Sequence, residues 1–262
     1  MQDILDLEAF PIDQPESAKY GALVARCKAD LACDGMFNLT GLVKPAAAVV
    51  AAAEIAPVMH SASFTHKRLH NIYFLKSIDG LDPDHPALQL CETVNHTVCA
   101  DQIPDSLTVR IYEYPPLLRF LEAVMDKDRL YLMDDPLARA NVMTYRHGEA
   151  LNWHFDRSEF TTTLLLQAPD EGGEFQYRSD LRTNNDPNYD GVAKLLTGED
   201  REVRTLALSA GTLNVFRGKN TAHRVTPVAG GRDRMIAVFS YYERPGVTFS
   251  DEERIGFYGR AG

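Results

Sequence analysis

From about residue 129 the chain becomes a succession of short strands broken by turn residues. The runs "LYLM", "ARANVMTYR", "LNWHFD", "FTTTLLLQ", "GGEFQYR", "VRTLAL", "TLNVF", "HRVTPV" and "RMIAVFSYY" carry β-branched stretches or period-two alternation, with Gly, Asn, Asp or Pro between them. Eight or so strands after a helical N-terminal third predict an α+β fold with a mainly β core. The expected architecture is a double-stranded β-helix, or jelly roll, with N-terminal helices packed on one face. The polar insert 179–200 reads as a loop at the barrel mouth with a short helix in it. Loops of that length are usually functional or disordered, and 157–160 is a second candidate lid.

The first third is punctuated differently. Pro15 can open a helix over 15–33 that Asp34-Gly35 can close. "GMFNLTGLV" (35–43) alternates like a strand. "KPAAAVVAAAEIA" predicts a second helix with Pro45 near its first turn. A third is expected over 86–100, after "DPDHP", and a fourth from Pro115-Pro116 through "LLRFLEAVM". With 262 residues, 45% of them hydrophobic, one sizeable core is affordable. The expected division is a single domain: 1–128 mostly helical support, 129–245 jelly-roll core, 246–262 a C-terminal segment.

The formal charge of −10 makes the chain a poor partner for a phosphate backbone or an anionic bilayer. Neither nucleic acid nor membrane is expected as a partner, while a small-molecule substrate is. Composition leaves a homodimer open. Cys27, Cys33, Cys91 and Cys99 are spaced too irregularly for a zinc module and fall in predicted helices or loops, so a reducing cytoplasmic compartment is expected. The acidic N-terminus lacks the basic and apolar regions of a signal peptide. The apolar stretch 46–59 is interrupted by Glu54 and Pro57 and reads as too short to span a bilayer.

"NWHFD" (152–156) carries the chemistry. On a strand, His154 and Asp156 share a face with one residue between them, and an imidazole and a carboxylate there can share a cation. A lone His-x-Asp is more often a polar surface pair, so its company decides. Tyr145 stands nine residues before His154. A hairpin with Gly172-Gly173 follows, then "GTLNVF", then His223 in "HRVTPV", then Arg232 and Arg234.

This order over residues 140–243 resembles the Fe(II)/2-oxoglutarate-dependent dioxygenases with a double-stranded β-helix core. The resemblance implies that His154, Asp156 and His223 are a two-histidine-one-carboxylate set for Fe(II). It also implies 2-oxoglutarate and O2 as co-substrates, converted to succinate and CO2 as a substrate C–H is oxidised. An arginine is expected to pair with the far carboxylate of 2-oxoglutarate. Arg232 and Arg234 share strand parity. Arg234 is favoured because it leads directly into "MIAVF", which leaves Arg232 as a solvated turn residue with Asp233 as its expected partner. Tyr145 matches a tyrosine that often approaches 2-oxoglutarate, and reads equally as a half-buried core residue.

Other residues carry less. Trp153 should point away from His154, as core or as a wall, and is a candidate substrate contact together with Arg68. "HKRLHNIYF" (66–74) is a basic spot for a substrate carboxylate, or a solvated helix end or strand edge. His147, Asn220 and Thr221 read as turn residues, and Glu243 with Arg244 as a pair.

Asp156 stands where family members that transfer chlorine lack a carboxylate. Hydroxylation of an unactivated C–H, or another two-electron oxidation such as desaturation, is therefore expected. The whole chain is similar to the small bacterial oxygenases that hydroxylate or chlorinate free amino acids. Two alternatives are the same chemistry on a protein side chain or nucleobase, and a cupin-type metal protein without oxygenase activity. The positioned arginine argues against the latter.

Overall fold

The computed structural model describes all 262 residues. Helix α1 (Ala18–Asp34) begins at Ser17, whose side chain accepts from the Tyr20 amide, and ends at Gly35 in the left-handed conformation. Strand β1 (Met36–Leu39) is shorter than the expected 35–43. Helix α2 (Pro45–Ala62) runs past its expected end and, by length and composition alone, could cross a bilayer, which corrects the shorter span read from the sequence. Its Ala48, Ala51 and Ile55 are fully buried, and it packs across the main sheet.

The helix expected over 86–100 does not form. A 3-10 turn at Pro86–Leu88 leads into strand β3 (Cys91–Val98), paired in antiparallel register with β2 (Phe64–His70). Thr93, Val94, Thr97 and Val98 are β-branched and fit a pleated sheet better than a helix. Cys91 thus lies on a strand, and "HKRLH" is strand rather than helix end. Helices α3 (Leu107–Tyr112) and α4 (Pro115–Val124) close this part of the chain.

The strand-rich part supplies β4 (Tyr131–Leu132), β5 (Ala140–Tyr145), β6 (Leu151–His154), β7 (Thr161–Gln167), β8 (Glu171–Gly172) and β9 (Phe175–Arg178). The insert forms a short helix, α5 (Tyr189–Leu196). Then come β10 (Arg204–Leu206), β11 (Leu213–Phe216), β12 (Ala222–Val225), β13 (Val228–Ala229), β14 (Arg234–Phe239), β15 (Tyr241–Tyr242) and a C-terminal helix α6 (Asp251–Tyr258).

Seven strands form one large antiparallel sheet in the order β1-β11-β7-β14-β5-β3-β2, and β10-β9-β12-β6 form a second of four. Period-two alternation gives the large sheet two chemically different faces. Met235, Ala237 and Phe239 of β14, Leu164 and Leu166 of β7, and Leu213 and Val215 of β11 enter the main apolar core, where α1, α2 and α4 also bury their residues. Their neighbours Arg234, Ile236, Thr163, Asn214 and Phe216 line a cavity instead. The small sheet contributes His154, Phe175, His223 and Val225 to the same cavity. Threonine, asparagine and arginine on a buried sheet face cost desolvation unless they find partners. That cost marks this face as built for a ligand.

Candidate active site

β6 ends in His154 and pairs with β12 so that His154 and His223 stand opposite each other, ring centres 4.1 Å apart. In each ring Nδ1 meets a backbone carbonyl: Asn152 at 2.8 Å for His154, Thr221 at 3.0 Å for His223. A carbonyl only accepts, so Nδ1 carries a proton, and Nε2 is the ring nitrogen turned inward. Asp156, just past β6, places Oδ1 3.3 Å from Nε2 of His154 and Oδ2 3.4 Å from Nε2 of His223. Burial holds His154 below the usual imidazole range, with His223 adding to the effect. Burial alone would raise Asp156, but the two imidazoles beside it hold the carboxyl well below the usual carboxylate range. A buried carboxylate thus faces two inward-turned imidazole nitrogens, and a cation at their centre would be held by all three. All three donor atoms lie within 4.8 Å of one another. The donor set suits a divalent transition metal.

Two neighbours hold Asp156. Thr161 Oγ1 donates to Asp156 Oδ2 at 2.5 Å, and the Asp156 amide donates to the Gly218 carbonyl at 3.0 Å. A Cβ on Gly218 would collide with the Asp156 carboxylate and with Thr161 Oγ1.

The three residues open on a cavity of about 620 Å³, within the range of small-molecule sites. Arg234 is 1% exposed. Its Nε donates to the Gly173 carbonyl at 3.0 Å, but its buried Nη1 has no partner. Burial brings its pKa down to about 10, which still leaves a cation at neutral pH. Gly173 adopts φ +62°, and a Cβ there would press on Pro169 and lie 3.0 Å from Arg234 Cδ, so the glycine leaves room for the arginine. Tyr145 stands opposite Arg234 in register and is fully buried. Burial raises its phenol to about 12, so it stays a protonated donor.

A family model described as Halogenase D matches residues 22–250. The chain belongs to the Halogenase D family. It is an oxygenase of the Fe(II)/2-oxoglutarate superfamily, as the sequence resemblance implied. No curated protein sequence matches it. Among solved structures it is similar to a 2OG-Fe(II) oxygenase family oxidoreductase from Burkholderia pseudomallei, at 17% identity and TM-score 0.50 over 85% of this chain and 92% of that one. It is also similar to AviO1 from Streptomyces viridochromogenes Tue57, at 16% identity and TM-score 0.56 over 84% and 95% of the two chains. The epimerase SnoN, in complex with Fe3+, alpha ketoglutarate and nogalamycin RO, matches at 14% identity and TM-score 0.53 over 84% of each chain. At these identities the likeness establishes a shared fold.

Two residues picked from the Halogenase D member's sequence lie elsewhere. Arg232 sits on the exposed turn before β14, where its Nε is 3.3 Å from Asp170 Oδ1, so it faces solvent and pairs with Asp170 rather than Asp233. The parity argument fails because residues 230–233 are turn, and β14 begins only at Arg234. Trp153 packs in an apolar cluster with Ile72 and Leu195 under Arg224 and does not line the cavity, which corrects its candidacy as a substrate contact. Arg68 does line the cavity, with its guanidinium 4.6 Å from the Phe74 ring centre. Glu243 pairs with Lys127, not Arg244.

Sequence reasoning missed Thr161, Gly218 and Asn214, and gave no weight to Arg182 or Lys219, which line the cavity. Asn214 has both amide atoms buried without partners. The inward polar residues inside "FTTTLLLQ" and "TLNVF" were the available clue.

Proposed function

We propose that this protein is an Fe(II)/2-oxoglutarate-dependent hydroxylase of a small molecule, a free amino acid or a close derivative. His154, Asp156 and His223 would hold Fe(II), which when bound supplies O2 activation coupled to decarboxylation of 2-oxoglutarate to succinate and CO2. The observation that carries the reading is the meeting, in one cavity, of the three inward-facing donors with a buried arginine whose Nη1 has no partner. Arg234 receives the distal carboxylate of 2-oxoglutarate through its planar fork, and the protonated Tyr145 beside it donates a further hydrogen bond. The carbonyls of Asn152 and Thr221 fix the tautomer and aim of both imidazoles, and Thr161 fixes the carboxylate. Ile236, Phe216 and Phe175 keep water from the reacting centre. Arg68 takes a carboxylate of the substrate. The two facing sheets support a jelly-roll reading of the fold, and four free thiols support a reducing cytoplasm.

The presence of Asp156 favours hydroxylation within a family named for halogenation. Three protein ligands and a two-point co-substrate leave a six-coordinate iron one position, and halide transfer needs one more.

Anaerobic reconstitution with Fe(II) and 2-oxoglutarate should give a visible charge-transfer band that is lost in Asp156→Ala. A band that survives removal of both His154 and His223 refutes the site. Succinate formation and a +16 product, followed across a panel of L-amino acids, tests the substrate class.

A further inference from the structure

We propose that the substrate of this cavity is an acidic small molecule with two anionic groups, bound by Arg68 at one post and by Arg182 with Lys219 at a second. The inference rests on the hydroxylase reading and names its substrate class. The cavity is lined by five side-chain cations, Arg68, Arg157, Arg182, Lys219 and Arg234, against one acid, Asp156. That balance occurs inside a chain of formal charge −10. Asp156 is committed to the metal, Arg234 to the co-substrate, and Arg157 to Glu253 at 2.8 Å. Three cations remain, none within ion-pair distance of a carboxylate. Elsewhere in this acid-rich molecule arginines find such partners: Arg139 with Glu113, Arg178 with Asp200, Arg254 with Asp135 and Arg260 with Asp101.

The two posts are preorganised. Arg182 lies with its guanidinium 3.9 Å from the Phe155 ring centre. Its Nε donates to the Lys219 carbonyl at 2.7 Å, and its amide donates to the Asn220 carbonyl at 3.3 Å. These contacts hold the head flat while its terminal amino groups stay free, so binding an anion there costs little further ordering. Lys219 is exposed and follows Gly218, the residue that packs against Asp156, which sets the second post beside the metal ligands. Arg68 stands on a different element, β2, stacked on Phe74 in the same manner. A substrate with a basic side chain would bring an ammonium into a cavity with no free carboxylate. A substrate with two anionic groups satisfies both posts.

The protein loaded anaerobically with Fe(II) and 2-oxoglutarate is titrated calorimetrically with L-glutamate, L-aspartate, O-phospho-L-serine, L-leucine and L-lysine, and succinate formation is followed on adding O2. An acidic compound should bind about tenfold or more tighter than leucine or lysine and alone stimulate succinate. The dicarboxylates against phosphoserine show which anion the second post takes. Lys219→Glu, at an exposed position that does not threaten folding, and Arg182→Gln should each weaken that binding about tenfold or more while 2-oxoglutarate affinity is unchanged. Preferential turnover of leucine or lysine, no response to any of the five compounds, or acidic binding indifferent to both substitutions overturns the inference. Failure of the wild-type protein to bind Fe(II) and 2-oxoglutarate overturns the hydroxylase reading beneath it.

Discussion

Replacing Arg234 with methionine separates the two roles a buried arginine can have. In the free protein its charge is costly: the side chain is 1% exposed, no acid pairs with it, and its Nη1 is unsatisfied. Removing an uncompensated buried charge for an apolar chain of similar length is often neutral or stabilising. The opposing loss is the Nε–Gly173 hydrogen bond, about 1 kcal/mol. The metal-loaded variant without co-substrate should therefore melt within a few degrees of wild type. With co-substrate the two diverge. Hydrogen bonds to charged groups contribute roughly 1.5–3 kcal/mol, so losing the carboxylate clamp should weaken 2-oxoglutarate by about a hundredfold. At a concentration about 100 times the wild-type Kd, the wild type gains about 2.7 kcal/mol of stability and the variant only about 0.4. For a chain of this size that difference is on the order of 5–10 °C in Tm. The assay is thermal unfolding with and without 2-oxoglutarate, a redox-inert divalent metal standing in for iron. Arg234→Lys, which keeps the charge but loses the fork, should fall between. If the methionine variant keeps the wild-type 2-oxoglutarate shift, Arg234 is not the clamp.

Three further outcomes follow from the same geometry. Thr161→Val removes the hydroxyl that holds Asp156 Oδ2 and should weaken metal binding about 10- to 100-fold, read by metal titration; an unchanged affinity refutes the positioning role of Thr161. Gly218→Ala drives a methyl group into the Asp156 carboxylate, so metal affinity should fall by more than in Thr161→Val with the far-UV spectrum retained; wild-type affinity would show that the loop yields. Burial lowers the pKa of His66, His70 and His154 from the ordinary 6.5, so below that pH the unfolded chain binds more protons than the folded one. The metal-free protein should hold its urea midpoint above about pH 7 and lose stability as pH falls below about 6.5, and a midpoint that rises on acidification contradicts this.

The clustering of His154, Asp156 and His223 was legible because every part of it is local or nearly so. His154 and Asp156 are two apart at a strand end, and His223 stands at the start of a second strand whose order relative to a glycine hairpin can be read along the chain. The inward burial of Arg234 was legible for the same reason, since it is the first residue of an apolar strand. Arg232 was misread because strand parity was extended into a turn, and nothing in "GGRDR" marks where the pleat begins. The stretch 86–100 was misread as helix from its proline start, although four of the six residues of "TVNHTV" are β-branched. Its partner strand lies some twenty residues upstream, so the pairing that decides between helix and strand is non-local.

What remained hidden is the chemistry of the sheet's inner face. Thr163 stands opposite Asn214 on one side and Val238 on the other, while Arg234 stands opposite Tyr145. Those neighbours come from strands separated by tens of residues, and until the strand order is known, the polar members of "FTTTLLLQ" and "TLNVF" look like solvent-facing positions of half-exposed strands. The helices settle the matter. Because α2 covers the apolar face along β7 and β3, the polar face must turn inward, toward the second sheet. The same reversal governs charge. A net of −10 describes the outside of this molecule, whereas the cavity, lined by five cations against one acid, is the reverse. Composition therefore argued against anionic macromolecules as partners on the average field of the surface, while the substrate selection proposed above depends on a local field of opposite sign, made by Arg68, Arg182 and Lys219, which come from three separate stretches of the sequence.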